Sequence, residues 1–146
     1  MTDERFLITG ALGCIGAWAV RNLVQENVPV TVFDLASEPR RLQLLLSKEE
    51  LAQVSFVAGD ITDLAAFEKS LDDHDITHVI HLAGLQVPFC KADPSLGARV
   101  NVVGTVNVFE AVKRRKDRID KVVYASSVAV FGTPEDYEPG AALTDE

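Results

Sequence analysis

Short apolar runs alternate along this chain with longer stretches in which apolar residues recur every three or four positions. Near-continuous apolar strands are those buried on both faces, and strands joined through helices run parallel. The alternation therefore restricts the chain to βαβ units on one parallel sheet, covered by helices on both sides. The expected strands are Arg5 to Thr9, Val28 to Phe33, Val54 to Ala58, Thr77 to Ala83 and Lys121 to Ser126. One expected helix runs from Gly13 to Glu26 with Ile15, Val20, Leu23 and Val24 facing inward. A second passes through Leu64, Phe67 and Leu71 behind a Thr62 or Asp63 cap. Glu38 to Gln53 has helical spacing with a restart at Ser47, and reads as one broken helix or two short ones. The longest helix is expected from Ser95 to Arg115, its Leu96, Val100, Val103, Val106, Phe109 and Val112 series wide enough to be buried on more than one side. After Gly132 the sequence turns to Pro, Gly and acids and reads as a loop. The fold class is α/β, a doubly wound parallel sheet in three α/β/α layers, and 146 residues suit a single domain.

A sheet of this kind holds ligands in a crevice at the carboxyl ends of its strands, near a topological switch point. Three glycines follow the first strand at every third position, Gly10, Gly13 and Gly16. One can take a tight turn, one can let backbone approach a phosphate and one can let the helix press on the sheet, with the helix N-terminus offering N–H groups to an anion. The usual dinucleotide pattern is G-x-G-x-x-G, so this spacing alone leaves a ligand-free turn open. Asp34 ends the second strand at the distance from the glycines where a carboxylate meets a ribose 2′-hydroxyl and would repel a 2′-phosphate. It favours NAD over NADP, although Arg40 and Arg41 lie close by. Asp60 closes the third strand, suited to an adenine amino group or to capping a turn. Ser126 and Ser127 end the fifth strand at the same crevice, with no His-Asp pair and no G-x-S-x-G to make a hydrolase nucleophile.

Lys plus Arg count 14 against 22 Asp plus Glu, a net charge of -8 that repels nucleic acid. The basic run Lys113 to Lys116 reads as cations at the negative end of a helix. No apolar run reaches membrane-spanning length and the N-terminus is acidic, so the expected location is cytoplasmic. Cys14 and Cys90 lack metal-ligand spacing and read as reduced thiols, Cys14 as a small neighbour of a ligand or a reactive thiol at a helix start. His78 and His81, three apart on a strand, point to opposite faces and do not converge on a metal. Asn101 and Asn107 are polar groups inside the long helix, suited to satisfying backbone groups of neighbouring loops.

"TGALGCIG" (Thr9 to Gly16), "GDITD" (Gly59 to Asp63), "HLAG" (His81 to Gly84), "NVVGTVNVFEA" (Asn101 to Ala111) and "YASSVAVFG" (Tyr124 to Gly132) together resemble the ordered motifs of the extended short-chain dehydrogenases/reductases, the NAD-dependent epimerase/dehydratase family. The resemblance implies a Rossmann fold that binds NAD, with a sugar or nucleotide-sugar as substrate, acting by hydride transfer as an epimerase, dehydratase or dehydrogenase. It implies pyrophosphate contacts from Gly10, Leu12, Gly13, Cys14, Ile15 and Gly16, ribose contacts from Asp34 with Leu35 beside it, and adenine contacts from Asp60 and Ile61. It places Leu82, Ala83, Gly84 and Ser126 toward the nicotinamide, with Asn101 and Ala125 also at the cofactor, and makes Ser127 the catalytic serine that binds the reacting hydroxyl. It also implies a Tyr-x-x-x-Lys pair, yet Tyr124 and Tyr137 are followed four places on by Val128 and Ala141. Two readings follow: the amino-terminal cofactor-binding part of a longer enzyme, or a non-catalytic NAD-binding or sensor module. A homodimer built on the long helices is expected from the same resemblance.

Overall fold

The computed structural model describes residues 3–132. The loop expected after Gly132, Tyr137 included, lies outside the described residues. Five parallel strands form the sheet: β1 (Phe6–Thr9), β2 (Val30–Asp34), β3 (Ser55–Ala58), β4 (His78–His81) and β5 (Lys121–Tyr124). Their order is β3-β2-β1-β4-β5, so the direction of winding reverses between β1 and β4. Register places Thr9 beside Phe33 on one side and His81 on the other, which brings the carboxyl ends of three strands to one level.

Alternation within the strands sends successive side chains to opposite layers. Ile8 and Val32 pack with Val20 and Val24 of α1 (Cys14–Gln25) and Leu42 of α2 (Arg40–Leu45), but Ile15, expected on the same inward stripe, is 71% exposed because the first turn of α1 stands at the open end of the sheet. Leu7, Phe33 and Val79 face the other way, onto Phe67 and Leu71 of a later helix and onto Val108 and Ala111. Both faces are covered, which is why β1 and β2 read as unbroken apolar runs.

The ambiguous segment after β2 is two short helices. α2 ends at Leu45, and α3 (Lys48–Leu51) restarts behind a capping box in which the Ser47 amide donates to Glu50 Oε2 (2.7 Å) and the Glu50 amide to Ser47 Oγ (3.1 Å). α4 (Leu64–Asp73) starts on Asp63, whose Oδ1 accepts from the Ala66 amide at 3.0 Å. Asn27 and Asp75 end α1 and α4 in the left-handed region, with Val28 donating to the Leu23 carbonyl and Ile76 to that of Leu71, the 6→1 bond of a Schellman motif.

The long helix differs from expectation. After β4 come α5 (Val87–Ala92) and α6 (Pro94–Ala98), the latter capped by Asp93 with proline in its first turn. A π-helical turn over Arg99–Gly104 then leads without a break in backbone conformation into α7 (Thr105–Lys113). The wider turn shifts the apolar stripe. Val108 and Ala111 are buried, whereas Val103, Val106 and Phe109 are 48%, 52% and 42% exposed, so burial on more than one side is not found among the described residues. The basic run ties α7 to α4: Arg114 and Arg115 pair with Glu68, and Arg115 and Arg118 with Asp72.

Candidate functional site

β1 delivers the chain into the glycine turn. Gly10 has φ +66°, and a Cβ there would stand 2.6 Å from the Ala83 nitrogen and 2.8 Å from the Leu82 carbonyl carbon, so the end of β4 closes directly on it. A Cβ on Gly16 would meet the Gly10 oxygen at 2.5 Å, which folds the turn back onto the first turn of α1. Gly13 is the N-cap and donates to the Gly10 carbonyl at 3.1 Å. The first turn of α1 carries no acid and no side chain caps it. The amides of Cys14, Ile15 and Gly16 therefore begin a helix without intrahelical acceptors, at its positive end. A phosphate fits that position in charge and in donor geometry.

Asp34 sits where β2 ends and braces the turn. Its Oδ2 accepts from the Leu12 amide and its Oδ1 from the Ala36 amide, each at 3.0 Å. An ionised carboxylate offers about four lone-pair sites, so two stay available for a ribose diol. Arg41 donates to the Leu12 carbonyl at 3.0 Å and so holds the turn from the opposite side. Leu12 itself points into the core with 7% exposure, so its contribution to the turn is made by backbone alone. Asp60 accepts from the Thr62 amide at 2.8 Å through one oxygen, and Gly59 leaves no room for a Cβ against the Phe33 ring. Asn107 spans the layers to donate to the Ile61 and Thr62 carbonyls at 3.0 and 3.1 Å. Asn101 accepts from the Leu85 amide (2.7 Å) and donates to the Leu85 carbonyl (2.9 Å), holding the loop after β4. Both asparagines satisfy loop backbone, as their polar character inside a helix requires.

The two strand histidines diverge. His78 stacks on Phe6 with ring centroids 4.7 Å apart, whereas His81 is buried between Thr9 and Thr105. Burial pushes His81 down to a pKa of about 4, so it is neutral at physiological pH.

Two adjoining clefts open at this end of the sheet. The first, of about 480 Å³, is lined by Gly10, Gly13, Cys14, Ile15 and Gly16 from the turn, by Asp34, Leu35, Asp60 and Ile61 from the β2 and β3 ends, and by Leu82, Ala83, Gly84 and Ala125. The second, of about 710 Å³, shares the Leu82–Gln86 wall and Ala125, and adds Ser126, Ser127, Asn101, Thr105 and Lys91. Among the residues expected at the cofactor, Asn101 and Ser126 thus line the second cleft, beside Ser127, and Leu12 lines neither. Phe33, Gly59, Leu85, Gln86 and Val100 also line the first cleft, beyond the residues expected to touch the cofactor. Gly59 heads the "GDITD" motif at the carboxyl end of β3, the level at which the crevice of such a sheet is expected. Leu85 and Gln86 follow the carboxyl end of β4, where the crevice of such a sheet is expected, whereas Phe33 and Val100 lie within β2 and the π-helical turn and no motif marked them.

A glycine turn on a helix N-terminus, an acid at the next strand end and a cleft at the switch point of a 3-2-1-4-5 parallel sheet define a dinucleotide-binding Rossmann domain. The chain belongs to the NAD dependent epimerase/dehydratase family, whose model matches residues 6–146. It is 33% identical over 141 residues to a UDP-glucose 4-epimerase of Azospirillum brasilense, covering 92% of this chain and 38% of that protein. Among solved structures, UDP-glucose 4-epimerase of Thermus thermophilus in complex with NAD superimposes with a TM-score of 0.72 at 29% identity, over 85% of this chain and 38% of that one. UDP-glucose 4-epimerase of Bifidobacterium longum in complex with NAD+ and UDP gives 0.75 at 27% identity, over 90% and 39%. The chain thus spans about two fifths of the length of these relatives.

Proposed function

We propose that this domain binds NAD in the first cleft and is the cofactor-binding part of an enzyme that acts on a hydroxyl of a nucleotide-sugar or similar substrate. The observation that carries this reading is the first cleft itself, with open helix amides at one end of its floor and the Asp34 carboxylate beside them. In this reading the amides of Cys14, Ile15 and Gly16 hold the pyrophosphate, and Gly10 and Gly13 let it approach. Asp34 takes the adenosine ribose with Leu35 against its face, and Asp60 and Ile61 meet the adenine. Leu82, Ala83, Gly84 and Ala125 flank the nicotinamide. NAD supplies the hydride acceptor when bound. Ser126 and Ser127 line the second cleft next to that wall, and Ser127 hydrogen-bonds the reacting hydroxyl. The relatives' greater length supports placing a Tyr-x-x-x-Lys pair, and the substrate-selecting segment, outside these 146 residues. The exposed Val103, Val106 and Phe109 of the long helix support a homodimer through that face, and the free thiols of Cys14 and Cys90 support a cytoplasmic location.

Isothermal calorimetry on the folded chain tests the reading. NAD should bind with a stoichiometry of one and more tightly than NADP, because a 2′-phosphate would face the Asp34 carboxylate. Absence of binding by either nucleotide would remove the proposal. NAD binding by a chain in which turnover never appears, even joined to the remainder of its reading frame, would favour a non-catalytic NAD-binding module instead.

A further inference from the structure

His81 is the last residue of β4, 1% exposed, and its ring is held at both nitrogens. Nδ1 lies 2.6 Å from Thr9 Oγ1 and Nε2 lies 3.0 Å from Thr105 Oγ1. The Thr9 hydroxyl also receives the Leu82 amide, which it shares with the Thr9 carbonyl, and the Ala83 amide, both at 3.2 Å. A hydroxyl has one proton and two lone pairs. With both lone pairs facing backbone N–H groups, the Thr9 proton must point to Nδ1, which is therefore an acceptor. The ring proton then sits on Nε2 and is donated to Thr105. The chain of bonds runs without a break from the amides of Leu82 and Ala83 through Thr9 and His81 to the helix that borders the second cleft.

The amides at the head of this chain belong to the residues that close on Gly10, where a Cβ would lie 2.6 Å from the Ala83 nitrogen. Ala83 therefore stands where only a glycine at position 10 leaves room, so the seat of the turn depends on where the Leu82–Ala83 backbone is held. The groups facing the His81 ring are Thr9 from β1, Thr105 from α7 and the ring of Tyr124 from β5, stacked at 5.8 Å. No carboxylate or cation is paired with His81 among the described residues. An imidazolium would need a second acceptor at Nδ1, available only if the Thr9 hydroxyl released a backbone amide.

We infer that His81 is a positioning residue, held as the neutral Nε2–H tautomer, which locks Leu82 and Ala83 against the Gly10 turn and links the dinucleotide cleft to Thr105 of the second cleft. The effect on nucleotide affinity rests on the proposed NAD binding, whereas the tautomer and the lock do not. Two-bond ¹H–¹⁵N correlation spectra of the chain should show the proton on Nε2, and an Nδ1–H tautomer overturns the inference. His81→Phe keeps a ring of similar size without either bond. It should speed amide exchange at Leu82 and Ala83, and should weaken NAD about tenfold, the worth of one well-made hydrogen bond. His81→Asn keeps an acceptor near the position of Nδ1 and should restore protection at both amides and NAD affinity to within about threefold of wild type. Unchanged exchange in His81→Phe, or no rescue by asparagine, counts against the lock. If His81→Phe does not fold, the wild-type tautomer and His81→Asn still decide. If wild type fails to bind NAD while the tautomer and exchange results hold, the proposed function falls and this inference stands.

Discussion

Gly10 has two independent reasons to be glycine: its φ of +66°, and the Ala83 nitrogen 2.6 Å from where a Cβ would be. Gly10→Ala should therefore cost about 3 kcal/mol or more, since left-handed strain adds to overlap with backbone that cannot rotate away. Urea unfolding measures it, and a loss below about 1 kcal/mol would mean that the β4 end yields easily. His81 makes the second prediction at this scale. Its folded pKa of about 4 lies below the ordinary 6.5, so below pH 6.5 the unfolded chain binds the extra proton. Stability should fall as pH drops from 6.5 toward 4 and this contribution should level off below that, whereas His81→Asn should flatten the same interval. The glycines and Asp34 were legible because their spacing is local and their chemistry is limited. That Asp34 would spend an oxygen each on Leu12 and Ala36, and that Leu12 would turn inward, was not legible, because both depend on how the β1 and β2 ends meet.

At the scale of elements, β1 and β2 could be read because burial on both faces leaves a continuous apolar signal, whereas β3 and β5, mostly exposed at the sheet edges, were read from their β-branched and aromatic residues. Helix ends were harder to read. α1 and α4 stop in left-handed residues that are not glycine, Asn27 (φ 58°) and Asp75 (φ 49°), so the usual glycine stop signal is missing. Asn27→Gly should raise stability by about 0.5 kcal/mol by relieving the side chain of that conformation. A measurable loss in chemical denaturation would show that the Asn27 side chain contributes more than its strain costs. The π turn at Arg99–Gly104 was equally hidden, since a one-residue insertion leaves the apolar spacing nearly intact while rotating Val103 and Val106 outward. The α4–α7 contact titrates separately from His81. The hydrogen bond from Arg115, with help from Arg118 and against partial desolvation, holds the Asp72 carboxyl well below its ordinary 3.8. A depressed carboxyl pKa contributes stability that is present above 3.8 and lost as pH falls further. Asp72→Asn should therefore be less stable than wild type at pH 7, with the gap closing below pH 4. A gap that stays constant down to pH 2 would assign the effect to packing.

For the molecule as a whole, the two clefts share one wall, Leu82–Gln86, which is fixed from below by Thr9 and from the side by Asn101. A ligand in the first cleft therefore binds against a surface continuous with the sheet core, and its binding energy should appear as stability of the entire domain. At a hundredfold excess over the dissociation constant, a ligand that binds only the folded state adds about 2.7 kcal/mol. For a chain of this length that corresponds to a rise in Tm of roughly 5–10 °C. NAD should give that rise, and NADP at the same concentration a smaller one, because the net charge of -8 and the Asp34 carboxylate both oppose a further phosphate. In Asp34→Ala the two nucleotides should converge: NAD loses a ribose partner and the brace on Leu12, while NADP loses the brace but also the repulsion. A persistent NAD preference in that variant would move the discriminating contact away from Asp34, with the Arg41 side of the turn the next place to test.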